Sequence, residues 1–108
     1  MPNVGIDIEA LDEVGSADLL QERILSKPEL GMPADGTPLD ILRRFSLKEA
    51  AYKALFPKHG HVPLRQITVL PRDSNDPGFQ LVATERRIHV RAASQDFDGH
   101  VLSLAIVL

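Results

Sequence analysis

Apolar and polar positions change rhythm several times along the chain, and each change predicts an element. Val4 to Ile8 is a short β-branched run and predicts a strand. Ser16 is a candidate N-cap for a helix through about Ser26, with Asp18 in its first turn. PELGMPADGTP, residues 28–38, is rich in proline and glycine and reads as a loop. Thr37 can cap a second helix with Pro38 at its first position, where a missing N–H costs nothing. That helix should run to about Phe56, where Pro57 and Gly60 stop it. The remainder reads as β-structure. Ile67 to Leu70 and Phe79 to Ala83 flank RDSNDPG, and His89 to Ser94 and His100 to Leu108 flank QDFDG. Both connections are of hairpin type. The last run, VLSLAIVL, is largely apolar on both faces and predicts a central strand covered on both sides. The expected fold is α+β, in one domain over residues 1–108: one strand, two helices, then an antiparallel meander of about three strands. The order of strands in the sheet is not readable.

The second helix carries the sharpest chemical clue. At 100° per residue, Leu42, Phe45, Tyr52 and Phe56 share one stripe, and Glu49 falls in its middle. Lys48 lies between Ile41 and Leu55 on the flank. A lone carboxylate on a buried stripe costs several kcal/mol unless it is protonated, paired or metal-bound. A Glu49–Lys53 pair at i,i+4 supplies only about 0.2–0.5 kcal/mol on an exposed helix and does not explain that placement. GIDIE, residues 5–9, adds two more acids. In a strand Asp7 and Glu9 project together, with Ile6 and Ile8 on the other side. Two carboxylates on one face repel unless a cation or water separates them. With Glu49 alongside they form an oxygen-only site suited to a hard ion such as Mg²⁺, which keeps several waters and shares its shell with substrate phosphates.

Composition narrows the field. Hydrophobic residues make up 44% of the 108 and charged residues 25%, as in an ordinary globular domain. No apolar run approaches the roughly 20 residues that span a bilayer. MPNVGIDIEA has no basic leader region and already reads as a strand, so no signal peptide is expected. The absence of cysteine excludes disulfides, a thiolate nucleophile and cysteine-ligated zinc, and fits a cytoplasmic location. The net charge of −3 is split. Residues 1–36 hold eight acids and two bases, and residues 37–108 hold seven acids and ten bases. Such a split is compatible with an anionic ligand on the second part, although an ordinary solvated surface gives the same count. Scattered bases and five aromatics not interleaved with them count against nucleic acid. His59 and His61 in K-H-G-H suggest a metal site only weakly, since no third ligand is near in sequence, while His89 and His100 sit at strand positions. No Ser-His-Asp arrangement is apparent, and GMPADG lacks the ending of a phosphate-binding P-loop.

GIDIE followed by FSLKEAAYKALFP, residues 45–57, resembles the 4′-phosphopantetheinyl transferases, and most of all their larger type, which primes siderophore, peptide and polyketide synthases. The pattern of that type is a G-I-D-x-E strand, then a helix with [FW]-[ST]-x-K-E-[AS]-x-x-K. Gly5, Asp7, Glu9, Phe45, Ser46, Lys48, Glu49 and Lys53 fit it, and KALFP adds a likeness to the enterobactin-type members. The resemblance implies a reaction. A serine hydroxyl of an apo acyl or peptidyl carrier protein attacks the pyrophosphate of coenzyme A, and adenosine 3′,5′-bisphosphate leaves. It implies that Mg²⁺ is held by Asp7 and Glu49, with Glu9 as a ligand or base. Glu49, or a metal-ordered water, takes the serine proton. Lys53 holds a phosphate oxygen, and Lys48 reaches a coenzyme A phosphate or supports the site. Larger-type members are tandem pairs of such halves with coenzyme A between them. This chain starts at the second half's motif and has roughly the length of the smaller type, whose sites form between identical subunits. It therefore reads as a C-terminal-type catalytic half. Its cleft would be completed by a missing N-terminal half, by self-association or by another chain. A reading of a different class is a non-catalytic half-domain that binds a carrier protein or a partner chain.

Overall fold

A computed structural model of the chain describes residues 3–12, 23–30, 37–72 and 75–107. Strand β1 (Asn3–Ala10) is followed by a single helical turn, α1 (Lys27–Leu30), and by the long helix α2 (Pro38–His59). A 3₁₀ turn (Leu64–Gln66) leads into β2 (Ile67–Val69), β3 (Phe79–Ala83), β4 (Ile88–Phe97) and β5 (His100–Val107). The five strands form one antiparallel sheet in the order β1-β5-β4-β3-β2. The α+β class is as expected. Four strands follow the helices rather than three, because both β2–β3 and β4–β5 close as hairpins and β3–β4 closes as a third. Strand β1 returns to pair with β5, Gly5 opposite Ala105 and Asp7 opposite Ser103. That pairing joins the two ends of the described chain. Among the described residues no helix is long and apolar enough to cross a membrane.

Local signals explain the elements. The Thr37 hydroxyl accepts the Asp40 N–H at 3.2 Å and Pro38 opens α2, as its sequence predicts. The helix runs past Phe56 through Pro57 to His59. Gly60, at φ 71°, then donates its N–H to the Phe56 carbonyl at 2.9 Å and ends it. The β4–β5 turn is Asp98–Gly99, both at positive φ, which an Asp-Gly hairpin requires. Ser16 and the body of the first predicted helix lie outside the described residues. Where a loop was expected from residue 28, α1 forms instead. Its stop signals were misleading because Ser26 and Glu29 make a capping pair. The Glu29 carboxylate accepts the Ser26 N–H at 3.1 Å and its hydroxyl at 3.0 Å.

The packing face of α2 differs from the predicted stripe. Its buried residues are Ile41, Leu42, Ser46, Leu47, Lys48, Ala50, Ala51, Ala54 and Leu55, whereas Phe45 and Tyr52 are half-buried and Phe56 is exposed. Large residues mark a stripe in sequence, but small ones let this helix lie close to the sheet. Ala50, Ala51 and Ala54 join Val62, Ile67, Leu81, Val90 and Ala105 in the main core. A Cβ built on Gly5 would stand 1.9 Å from the Ala50 carbonyl oxygen and 2.7 Å from the Ala54 nitrogen. Glycine in β1 is thus a condition of the helix–strand approach. The expectation that β5 is covered on both sides is half met. Val101, Ser103, Ala105 and Val107 are buried on the α2 side, while Leu102 and Leu104 remain accessible on the other. Gly5→Ala should lower stability by about 3 kcal/mol or more, because backbone rather than a movable side chain fills the space. Denaturant unfolding measures this, and a loss below about 1 kcal/mol would contradict the close approach.

Candidate active site

The strand and the helix bring two acids together. Alternation along β1 puts Asp7 on the face opposite Ile6 and Ile8, as GIDIE predicts, and the packing turns Gly5 and Asp7 inward and Val4, Ile6 and Ile8 outward. Asp7 is only 6% exposed and faces α2. Glu49 projects from α2 close enough for the two charges to interact. Its carboxyl is held above its ordinary pKa, first by burial and second by the charge of Asp7, with Lys53 opposing. The Lys53 ammonium donates to the Ile6 carbonyl at 3.0 Å and to Asp7 Oδ1 at 3.3 Å. Lys53 is therefore committed to Asp7 across the helix–strand boundary, and the local Glu49–Lys53 pair is not the arrangement adopted. The other oxygen of Asp7, Oδ2, is buried without a hydrogen-bond partner.

A buried, unpartnered carboxylate oxygen beside a second carboxylate with a raised pKa is an arrangement short of positive charge. Asp7 and Glu49 fit a hard cation, and Mg²⁺ is commonly held by one or two carboxylates with waters and phosphate oxygens completing its shell. The full three-acid centre is not assembled. Glu9 is half-buried on the same strand face, but among the described residues no group of three His, Cys, Asp or Glu converges to hold a metal. The reason is geometric. Positions two apart in a strand are separated by about 6–7 Å, so one helical carboxylate meets one of them closely and not both.

Lys48 turns away from the acidic centre. It is fully buried, and its ammonium donates to the Glu29 carboxylate, the Ile24 carbonyl and, at 3.3 Å, the Leu64 carbonyl. Arg44 binds the second Glu29 oxygen at 2.9 Å. Burial lowers the Lys48 pKa and Glu29 opposes the shift. Of the two roles expected for Lys48, reaching a coenzyme phosphate or supporting the site, this geometry fits the second. Its flank of α2 faces residues 24–29 and the 3₁₀ turn, and its donors are taken there. Glu29, which anchors it, was missed because residues 28–38 read as loop, although Ser26-x-x-Glu29 is a recognisable capping signal.

The sequence also did not single out the polar floor of the site. Ser103, opposite Asp7 in the sheet, is fully buried and accepts from the Ser46 hydroxyl at 2.8 Å. It donates to the Ser94 hydroxyl at 3.2 Å, which accepts from Arg43 at 2.9 Å. Alternation in VLSLAIVL gives a signal, since it puts Ser103 on the core face between Val101 and Ala105. Of the histidines, His61 Nδ1 lies 3.0 Å from the Tyr52 hydroxyl and joins no metal-binding cluster among the described residues.

Comparison with known proteins agrees with this layout. The family model described as the 4′-phosphopantetheinyl transferase superfamily matches residues 3–105. No curated protein sequence matches significantly. Among solved structures the chain is similar to Helicobacter pylori holo-[acyl-carrier-protein] synthase in complex with coenzyme A, with 21% identity and a TM-score of 0.73 over 97% of this chain and 99% of that one. It is similar to the Chronobacterium ammoniagenes ACPS–coenzyme A complex, with 17% identity and a TM-score of 0.69 over 99% and 96%. The Neisseria meningitidis holo-[acyl-carrier-protein] synthase follows, with 21% identity and a TM-score of 0.67 over 98% and 97%.

The raised pKa of Glu49 has a consequence for stability. A carboxyl whose folded pKa lies above its unfolded value favours the folded state while protonated, and that contribution is lost as pH rises through the folded pKa. In metal-free protein at neutral pH, Glu49→Gln should therefore be at least as stable as the parent, and the difference should shrink on acidification. Thermal unfolding across pH measures this. A clear loss of Tm at neutral pH would show instead that the ionised carboxylate supports the fold.

Proposed function

The chain belongs to the 4′-phosphopantetheinyl transferase superfamily, and on that footing we propose that it moves phosphopantetheine from coenzyme A to a serine of an acyl or peptidyl carrier protein. The observation that carries this reading is the Asp7–Glu49 pair with its unpartnered oxygen, set beside Lys53. In the reaction the serine oxygen forms a bond to the phosphorus that bears the pantetheine arm. The bond from that phosphorus to the bridging pyrophosphate oxygen breaks, and adenosine 3′,5′-bisphosphate departs. Glu49 takes the serine proton directly or through one water, and its raised pKa makes it a stronger base than an ordinary carboxylate. Lys53, about half exposed, meets the charge that grows on the leaving phosphate. Asp7 and Glu49 would hold a Mg²⁺ ion, which would supply charge neutralisation for the phosphoryl transfer. Glu9 borders this pair, and Lys48 acts on it only by fixing the helix.

We further infer that the chain works as a self-associating enzyme of the holo-[acyl-carrier-protein] synthase type rather than as half of a larger-type enzyme. The Helicobacter, Chronobacterium and Neisseria structures it resembles are covered by it nearly end to end. Its outer sheet face is also apolar. Val4, Ile6 and Ile8 are 52–60% exposed, and Ile6 lies opposite Leu104 and Ile8 opposite Leu102, both accessible. Phe97 at the end of β4 extends this face. Contiguous exposed apolar patches of this kind mark interfaces. A second copy packed there would supply the other wall of the coenzyme cleft.

Two experiments test the proposal. Incubation with coenzyme A, Mg²⁺ and an apo carrier protein should add the mass of phosphopantetheine to the carrier. Asp7→Asn and Glu49→Gln should each lower the rate by about 100-fold or more. Absence of transfer over a range of protein concentrations would sink the enzyme reading and leave the non-catalytic carrier-binding module. Sedimentation should show an oligomer, and Ile6→Lys should dissociate it and reduce transfer. A monomeric, active parent would refute self-association.

A further inference from the structure

A row of polar side chains crosses the sheet beneath α2. Asp7 on β1 lies opposite Ser103 on β5, and Ser103 lies opposite Ser94 on β4. Around this row the same face is apolar and buried, with Val90, Ala92, Val101 and Ala105. Helix α2 meets the row in order. Arg43 donates to Ser94 at 2.9 Å, Ser46 donates to Ser103 at 2.8 Å, and Lys53 donates to Asp7 Oδ1 at 3.3 Å beside Glu49. The steps agree because Arg43, Ser46 and Glu49 follow at every third position, about 4.5 Å of helix rise each, and neighbouring strands are about 4.8 Å apart. Ser46 and Ser103 are both fully buried, and their hydroxyl protons are committed, Ser46 to Ser103 and Ser103 to Ser94 at 3.2 Å. The last position differs, because Asp7 Oδ2 has no hydrogen-bond partner. Hydrogen bonds close the row at Ser94 and Ser103 and leave it open at the acidic pair.

We propose that Ser46 and Ser103 are positioning residues for the acidic pair: their bond fixes Glu49 over Asp7 at the spacing that a small octahedral cation needs. The proposal rests on the reading of Asp7 and Glu49 as the pair that holds Mg²⁺, and it adds what sets their geometry. The contact of Gly5 with Ala50 and Ala54 limits how close α2 can come to β1. A contact between small apolar groups has no preferred direction and does not fix the roll of the helix about its axis. A hydrogen bond does, because it weakens steeply away from its best distance and angle. Glu49 lies between two such ties, three residues after Ser46 and four before Lys53. The Lys53 tie is half exposed and made by an ammonium on a long flexible stem. The Ser46–Ser103 tie joins two short side chains in a buried setting, where a hydrogen bond is stronger. It is the stiffer of the two. Mg²⁺ demands near-ideal octahedral geometry at about 2.0–2.1 Å, whereas Ca²⁺ accepts flexible shells at about 2.3–2.6 Å. Loosening the carboxylate pair therefore costs Mg²⁺ more than Ca²⁺.

The test titrates the full chain, free of coenzyme A, with Mg²⁺ and separately with Ca²⁺ by calorimetry. The double variant Ser46→Ala, Ser103→Ala removes both hydroxyls together, so neither is left buried without the other, and thermal unfolding should show it folded. It should bind Mg²⁺ about tenfold more weakly and Ca²⁺ less than about threefold more weakly. Ser46→Ala alone, which leaves the Ser103–Ser94 bond in place, should show the same fall in preference for Mg²⁺ over Ca²⁺. Ile67→Val, which trims the core away from the row, should lower Tm and leave both affinities unchanged. Equal Mg²⁺ affinity in the parent and the two serine variants overturns the proposal. So does an equal loss for Mg²⁺ and Ca²⁺, which marks general damage rather than a change of spacing. Failure of the metal reading has a different signature: Asp7→Asn then binds Mg²⁺ as tightly as the parent.

Discussion

The contact between Gly5 and the Ala50–Ala54 turn is the constraint on which the rest of the structure depends. Strand β1 and helix α2 can approach this closely only because one side offers no Cβ and the other offers alanines. Close approach sets the height of α2 above the sheet. That height puts Lys53 within reach of both the Ile6 carbonyl and Asp7, and brings the Glu49 carboxyl under the influence of the Asp7 charge. A bulkier residue at position 5 would lift the helix and separate the acids. The motif glycine and the motif carboxylates are thus parts of one device, the first supplying distance and the second chemistry.

Two sets of buried charge lie on opposite flanks of α2 and are treated in opposite ways. On one flank Lys48 and Glu29 are fully buried. Glu29 accepts from Lys48, Arg44 and Ser26, and Lys48 also meets two backbone carbonyls. These charges are answered within the chain, and the set locks residues 24–30 against the helix. On the other flank Asp7 keeps an oxygen with no partner and Glu49 holds its proton more tightly than an ordinary carboxyl. Satisfied charge builds structure, whereas unsatisfied charge creates a demand for a ligand. Two neighbouring residues of one motif, Lys48 and Glu49, fall on different sides of that division because a helix turns them about 100° apart.

Much of this was legible in the residues themselves. The β1 strand, the Thr37–Pro38 start of α2, the Gly60 stop and the hairpin runs follow from local chemistry: β-branching, capping, and the backbone freedom of glycine. That Asp7 lies on the face opposite Ile6 and Ile8 follows from alternation, but that this face is the inner one does not, since the isoleucines are the more apolar set. What failed did so for identifiable reasons. The α2 packing face was assigned to the large side chains Phe45, Tyr52 and Phe56, but close packing selected the alanines. Residues 28–30 read as loop because Pro28 and the glycines beyond outweighed a four-residue capping signal. The apolar outer face of β5 suggested cover on both sides, yet Leu102 and Leu104 stay accessible within the described chain.

The sequence by itself determined which residues carry chemistry, because a carboxylate on a strand or helix face is visible as type and spacing. It did not determine which of them meet. Glu9 and Asp7 are equivalent in spacing, and only the register of β1 under α2 makes Asp7 the partner of Glu49. Lys48 and Lys53 are equivalent in type, and only tertiary packing sends one into a buried network and the other to the acidic pair. Local interactions act within a few residues and can be read along the chain. The distances between a strand at residue 7, a helix at residue 49 and a strand at residue 103 are set by packing, which no local pattern records.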